Sequence, residues 1–300
     1  MKKYIVFFSL PLFVFLFSFY GESKRVITLM FENGYQKPVH YIEKLDPQMV
    51  KEGESLVKTG YGIIHKKNKP ISLHFDCTHC HQLTVTSKKK LPASTLYGVV
   101  NRISWYNDDY VLKYGEGIKV GRASLRNAIQ FCAQECAQGR KLEDNEVEAI
   151  LHYLWSLELK TTDLDTQTQQ VISSKEIKPE ILKQSPFFYS KASFINPTHA
   201  REQVQKLKGN PQAGHEIYVE GCMSCHKQGG VTSFLLDESL ISRRFLERNL
   251  DKDNKYNVYK AVYEGTWAKA GYRPYMPRYT KENMTFQEMA DLIAYIKSAR

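Results

Sequence analysis

Three hundred residues at 34.8 kDa exceed one average domain, and two domains of roughly 100–150 residues are the starting expectation. Hydrophobic residues at 42% and charged residues at 25% exclude both a disordered chain and a multispan membrane protein. Forty-two basic against 32 acidic residues give +10, which permits nucleic acid, an acidic membrane surface or a small anion as partner, without choosing among them.

In chain order, Lys2 and Lys3 precede an apolar run from Ile5 to Tyr20, sixteen residues long. That length suits a signal h-region and falls short of the roughly twenty residues of a spanning helix. Residues 1–23 therefore read as a signal peptide or amino-terminal anchor, and the body as exported to the periplasm, where thiols meet an oxidising environment. Gly21 and Ser23 match a small-residue cleavage site poorly, so membrane anchoring through an uncleaved amino terminus stays open. Residues 24–47 form an arm without a clear period.

Residues 48–160 read as a first domain. It holds a short helix from Met49 to Thr59, the motif Cys77-Thr78-His79-Cys80-His81, and an amphipathic helix ending near Ser156. Residues 161–199 read as a linker, polar from Thr161 to Ser185, with Pro186-Phe187-Phe188-Tyr189 docking it onto a domain. Residues 200–300 repeat the first pattern: a helix from Gln212 to Glu220, Cys222-Met223-Ser224-Cys225-His226, and a final helix from Glu288 to Ser298. The motifs are offset by 145 residues and the final helices by 142, with some sixteen extra residues ahead of the first motif. Strand signals are few, and the fold class expected is all-α.

C-x-x-C-H is the attachment site of c-type haem. A zinc site or redox disulfide is the bland alternative, but two copies behind an export signal point to two covalently attached haem c groups. Cys77, Cys80, Cys222 and Cys225 would carry the thioethers, with His81 and His226 as proximal iron ligands.

The opposite axial ligand sets the potential and decides whether the iron can meet a substrate. In the second domain it is expected to be Met276, in Tyr275-Met276-Pro277 fifty residues past His226, in preference to Met284 or Met289. In the first domain no methionine lies between His81 and Met223, and Cys132 stands 51 residues past His81. Leu125, Ile129, Cys132 and Cys136 form one apolar helical stripe, with Ser124 as its cap and Gly139 closing it. The rival ligands are Cys136, His65, His74, His79 and His152. Buried structural thiols are the alternative to ligation. A thiolate trans to histidine places a sulfur nucleophile beside a redox centre, which suits chemistry on sulfur compounds.

The stretch Lys51–Thr59 ahead of the first motif, together with Ile129-Gln130-Phe131-Cys132 and Gly139, resembles the dihaem thiosulfate dehydrogenase family and the related SoxA cytochromes. Domain 2 resembles class I cytochromes c. The resemblance implies two class I cytochrome c-like domains, each a small helical bundle around a haem. It also implies a His81/Cys132 active-site haem that oxidises thiosulfate to tetrathionate, or the reverse, and a His226/Met276 haem that passes electrons to a soluble or membrane-bound partner. Ala128 stands where the family has an arginine, and the glycine usual after the first motif is absent. Arg122 and Arg126 are the candidates for holding the sulfur anion, and Lys88, Lys89, Lys90 and Arg140 add positive charge nearby. The alternatives are an electron carrier without a substrate and a dihaem peroxidase. Nucleic-acid binding has no support.

Overall fold

A computed structural model describes residues 23–64, 69–85, 90–173, 179–185, 187–268 and 273–298. Among them there are helices and turns and no β-strand, only isolated bridges between Arg25 and Lys160 and between Ser104 and Tyr189. No helix among the described residues is long and apolar enough to cross a membrane. The apolar run of residues 5–20 lies outside them.

Two helix crossings organise the molecule. In the first half, α2 (Pro47–Thr59) crosses α6 (Asp144–Ser156). In the second, α10 (Pro211–Ile217) crosses α14 (Phe286–Lys297). Both leading helices start alike: the Asp46 side chain accepts from the Gln48 and Met49 amides, the Asn210 side chain from those of Gln212 and Ala213, and a proline follows each cap. At each crossing a glycine lets the backbones touch. A Cβ on Gly53 would stand 1.9 Å from the Ala149 carbonyl oxygen and 2.8 Å from Tyr153 Cβ. A Cβ on Gly214 would stand 1.9 Å from the Asp291 oxygen and 2.8 Å from Tyr295 Cβ. The two glycines are 161 residues apart while the motifs are 145 apart, so sixteen residues are inserted between helix and motif in the first half, as the repeat implied.

Each crossing sits in its own buried cluster. Leu56, Val57, Ile150 and Leu154 belong to the first, and Ile217, Tyr218, Leu292 and Ile296 to the second. The first cluster also takes in two stretches whose sequence showed no helical stripe. The arm forms α1 (Val26–Glu32), which buries Val26, Ile27 and Met30. The expected linker holds α7 (Thr166–Ser173) and α8 (Pro179–Gln184), and Ile172, Leu182 and Phe188 are fully buried. It is part of the first core. Scattered single apolar residues in polar surroundings carry no period, and tertiary burial decides their place.

Between its motif and α6 the first half carries α3 (Asp108–Tyr114), α4 (Ile118–Arg122) and α5 (Leu125–Phe131). The second half carries α9 (Pro197–Val204) ahead of α10. It has α11 (Met223–His226) at its motif, and α12 (Leu240–Asn249) and α13 (Val258–Tyr263) beyond it.

The halves meet beside their motifs. Tyr279 Oη donates to the Lys90 carbonyl (3.0 Å), and Asn283 Nδ2 to that of Pro92 (2.7 Å). Lys90 also pairs with Glu288, and the Phe75 and Tyr275 rings pack edge to face at 5.5 Å.

Candidate functional site

The two C-x-x-C-H motifs are built differently and hold their histidines in the same way. Cys77–His79 is a single 3₁₀ turn, started by Asp76, whose carboxylate accepts from the Thr78 and His79 amides. Cys222 ends a π turn that leads into α11. His81 Nδ1 donates to the Ser94 carbonyl (2.6 Å), and His226 Nδ1 to that of Phe234 (2.8 Å). Each bond fixes the tautomer and leaves Nε2 as a lone-pair donor, the arrangement of a metal-ligating histidine. Burial lowers the basicity of both rings, which keeps them neutral. The same burial pushes the Cys77 and Cys222 thiols up to about 12, so these sulfurs are neutral, as thioether sulfurs are.

The motifs also lie close together. Burial raises the Cys80 thiol, and Cys136 and Cys225 both add to the rise. The Tyr279 phenol is affected by Cys222, Cys225 and Cys80, which places this buried ring among the thiols of both motifs.

Residues 211–300 match the cytochrome c family model. They are a cytochrome c domain. No curated protein and no solved structure matches the chain. The cytochrome c domain implies a covalently bound haem c, and its residues fit one: two neutral buried sulfurs and a neutral histidine with Nε2 open. A zinc site would bring four donors together, whereas no cluster of three or more His, Cys, Asp or Glu able to hold a metal occurs among the described residues. Met276 belongs to the loop between α13 and α14 and packs against the same buried cluster as Cys222 and Phe234. Its amide donates to Thr266 Oγ1 (2.7 Å) and its carbonyl accepts from the Thr266 amide (2.9 Å). Gly265, at φ 65°, is required there because a Cβ would come 2.4 Å from the Met276 oxygen. Met284 and Met289 are core residues, fully buried or nearly so.

Beside the first motif lies a cavity with about 1390 Å³ of empty space, its mouth included. Cys77, Cys80 and His81 line it, and so do Cys132 and Cys136. No methionine and no second histidine is among its described lining residues. Met49, the nearest methionine ahead of His81 in the chain, packs against the first cluster. His152 Nδ1 accepts from the Asp46 amide and His79 Nδ1 from the Asp76 amide, while His65 lies outside the described residues.

The helix carrying the two cysteines starts as its sequence implies, with Ser124 Oγ accepting from the Asn127 amide (3.1 Å). At Cys132 it widens into a π turn over Cys132–Cys136, closed by a bond from the Ala137 amide to the Cys132 carbonyl. Gly139 does not close it through a left-handed backbone. Gln138 takes the positive φ of 54°, and Gly139 is needed because a Cβ there would stand 2.3 Å from the Ile71 oxygen. The two thiols are neighbours: the interaction with Cys136, together with burial, raises Cys132, and the same interaction lowers Cys136, which also has Lys113 and Tyr114 beside it.

The cations expected to receive an anion are elsewhere. Arg122 pairs with Asp108 and Arg126 with Glu148, both in exposed pairs, and Arg140 is forked onto Glu146. None of the three lines the cavity. Lys90 serves the contact between the halves, and Lys88 and Lys89 lie outside the described residues. The cavity's own cations are Arg102, Lys113 and Arg278, which carry no spacing signal in the sequence. Arg102 donates to Ser94 Oγ and the Thr95 carbonyl, and its buried Nε has no partner. Burial pulls it down to about 10, so it remains charged at neutral pH. A buried guanidinium without a carboxylate calls for an anionic group, and a haem propionate fits that need.

Proposed function

We propose that the chain is an exported dihaem oxidoreductase, with two cytochrome c-like domains and haem c at both motifs. His81 and Cys132 are the axial ligands of the first site, and His226 and Met276 those of the second. The first site oxidises thiosulfate to tetrathionate or runs the reverse, and the second passes electrons to a soluble or membrane-bound partner. Residues 1–23 direct export to the periplasm and supply any membrane anchor.

One observation carries this reading. Two further cysteines, Cys132 and Cys136, and no methionine are among the described residues that line the cavity holding Cys77, Cys80 and His81. The matching glycine contacts at Gly53 and Gly214 support a second domain of the same kind, and the matching histidine bonds to Ser94 and Phe234 support a second haem. Cys132 is preferred over Cys136 because its separation from His81 matches that of Met276 from His226, 51 residues against 50.

When bound, haem c supplies a one-electron carrier at each motif. In the reaction two thiosulfate dianions give up two electrons in all and become joined by one sulfur–sulfur bond. No proton is released, and the electrons leave to a one-electron acceptor protein. The chain itself contributes a cysteine sulfur at the point of reaction, a largely apolar wall that limits water, and cations that offset the negative charge of the substrate. The closeness of Cys80 to Cys225 supports transfer from the first site to the second.

Steady-state thiosulfate oxidation with an artificial acceptor tests the proposal. The expected result is turnover by the wild type and none by Cys132→Ala with both haems retained. A wild type that turns over neither thiosulfate nor tetrathionate would leave an electron carrier.

A further inference from the structure

Besides Arg102, two further cations belong to the first cavity. Lys113 lies near the end of α3, and Arg278 lies two residues beyond Met276 in the loop of the second half. Both line the cavity. They gather on one ring: Lys113 Nζ is 5.0 Å from the centroid of Phe194, and the Arg278 guanidinium carbon is also 5.0 Å from it. Lys113 Nζ stands 4.6 Å over Tyr114 as well. Arg278 Nε donates to the Tyr263 carbonyl (2.8 Å), which anchors the side chain from the second half.

Among the described residues no carboxylate pairs with either cation. Asp76, the one acidic residue among the described lining residues, is engaged by Thr78 and His79. Burial brings Lys113 down to about 8, and the neighbouring charge of Arg278 works in the same direction. Two like charges held together in a largely apolar cavity are costly unless an anion joins them. The haem propionates are a poor match for that anion. Propionates leave the porphyrin edge opposite the thioethers, whereas Lys113 is close enough to Cys80 and Cys136 for their charges to act on it. Arg102 is the cation suited to a propionate.

We propose that Lys113 and Arg278, gathered on the Phe194 ring, form an anion subsite. It holds the oxygen-bearing end of a sulfur oxyanion and leaves the terminal sulfur to Cys132 and Cys136. The subsite rests on the reading of this cavity as the place of sulfur chemistry. It is assembled from three parts of the chain: α3, the segment containing Phe194, and the loop that carries Met276. Pro277 fixes the backbone between Met276 and Arg278, so the substrate contact and the proposed second-site ligand share one short stretch of chain.

The test uses the full two-haem protein, with thiosulfate as substrate and sulfate as a non-reacting divalent competitor. Lys113→Gln and Arg278→Gln should each raise the KM for thiosulfate and the Ki for sulfate roughly tenfold, with kcat changed far less, as loss of one charge-assisted contact implies. Lys113→Arg should restore most of the affinity. Arg122→Gln, which removes an equal charge outside the cavity, should leave both constants unchanged. Haem content and the methionine absorption band check that each variant is intact. If Arg278→Gln disturbs that band, Lys113→Gln on the separate element decides. Unchanged KM and Ki in a Lys113→Gln protein that still turns over would overturn the subsite and leave the function standing. An equal rise in Arg122→Gln would reduce it to general charge and overturn it as well. Absence of both turnover and sulfate binding in the wild type would remove the function and the subsite together.

Discussion

Gly53 and Ala149 cross so closely that a Cβ on the glycine would lie 1.9 Å from the alanine carbonyl oxygen, and Gly214 meets Asp291 at the same distance. The obstruction is backbone at both crossings, so no side chain can swing away to relieve it. Gly53→Ala and Gly214→Ala should each cost about 3 kcal/mol, at the upper end of overpacking effects. Denaturation followed at the haem absorption band should place the loss of Gly53→Ala in the first half and that of Gly214→Ala in the second. A loss below about 0.5 kcal/mol would show that the helices separate without strain.

Haem stoichiometry is the simplest check on two attachment sites. The matured wild type should carry two covalent haems per chain, and Cys77→Ala with Cys80→Ala should leave one. A single haem in the wild type would confine attachment to the cytochrome c domain at 211–300.

At the second site, Met276→Ala should remove the weak sulfur-to-iron absorption band at the red end of the spectrum and lower that haem's potential, because methionine favours reduced iron. Thr266→Val should weaken the band only slightly, since the Thr266 amide still donates to the Met276 carbonyl after the bond to Oγ1 is lost. An unchanged band in Met276→Ala would assign the ligand elsewhere.

His40 gives the first half a pH dependence. Its ring is buried and its Nε2 donates to the Val100 carbonyl, while its own carbonyl accepts from Trp155 Nε1. Burial lowers its basicity below the ordinary value, with the Val100 bond opposing part of the shift. Below about pH 6.5 the unfolded chain takes up a proton that the folded ring resists. Stability is therefore full above that pH and falls as the pH drops through it. Urea midpoints at pH 7.5 and 5.5 should differ less in His40→Gln than in the wild type. An equal difference in both proteins would assign the dependence to other groups.

Much of the scaffold was legible in the sequence because it depends on local pattern. The leading helices read from Met49 and Gln212, the stripes of α6 and α14 and the Ser124 cap all act within one or two helical turns, while the Asp46 and Asn210 caps lie just ahead of the ranges read. Phe188 docks onto the first core as its apolar stretch implied, whereas the burial of Ile172 and Leu182 depends on contacts distant in the chain, and so does the pairing of Arg122 and Arg126 with Asp108 and Glu148. Arg278 reaches the first cavity only because the halves dock through Tyr279 and Asn283, which no spacing encodes. The π turn escaped for another reason: it keeps Cys132 and Cys136 on one stripe, as an α-helix would, while it changes the bonding of the backbone.

The electron paramagnetic resonance spectrum of the oxidised protein tests the ligation of the first site most directly. The wild type should show a low-spin thiolate–haem signal beside that of a His/Met haem. Cys132→Ala should lose the thiolate signal with two haems still attached, and Cys136→Ala should keep it. Loss of the signal in Cys136→Ala alone would move the ligand one turn along the cavity wall. A wild type without any thiolate signal would contradict a cysteine-ligated first haem.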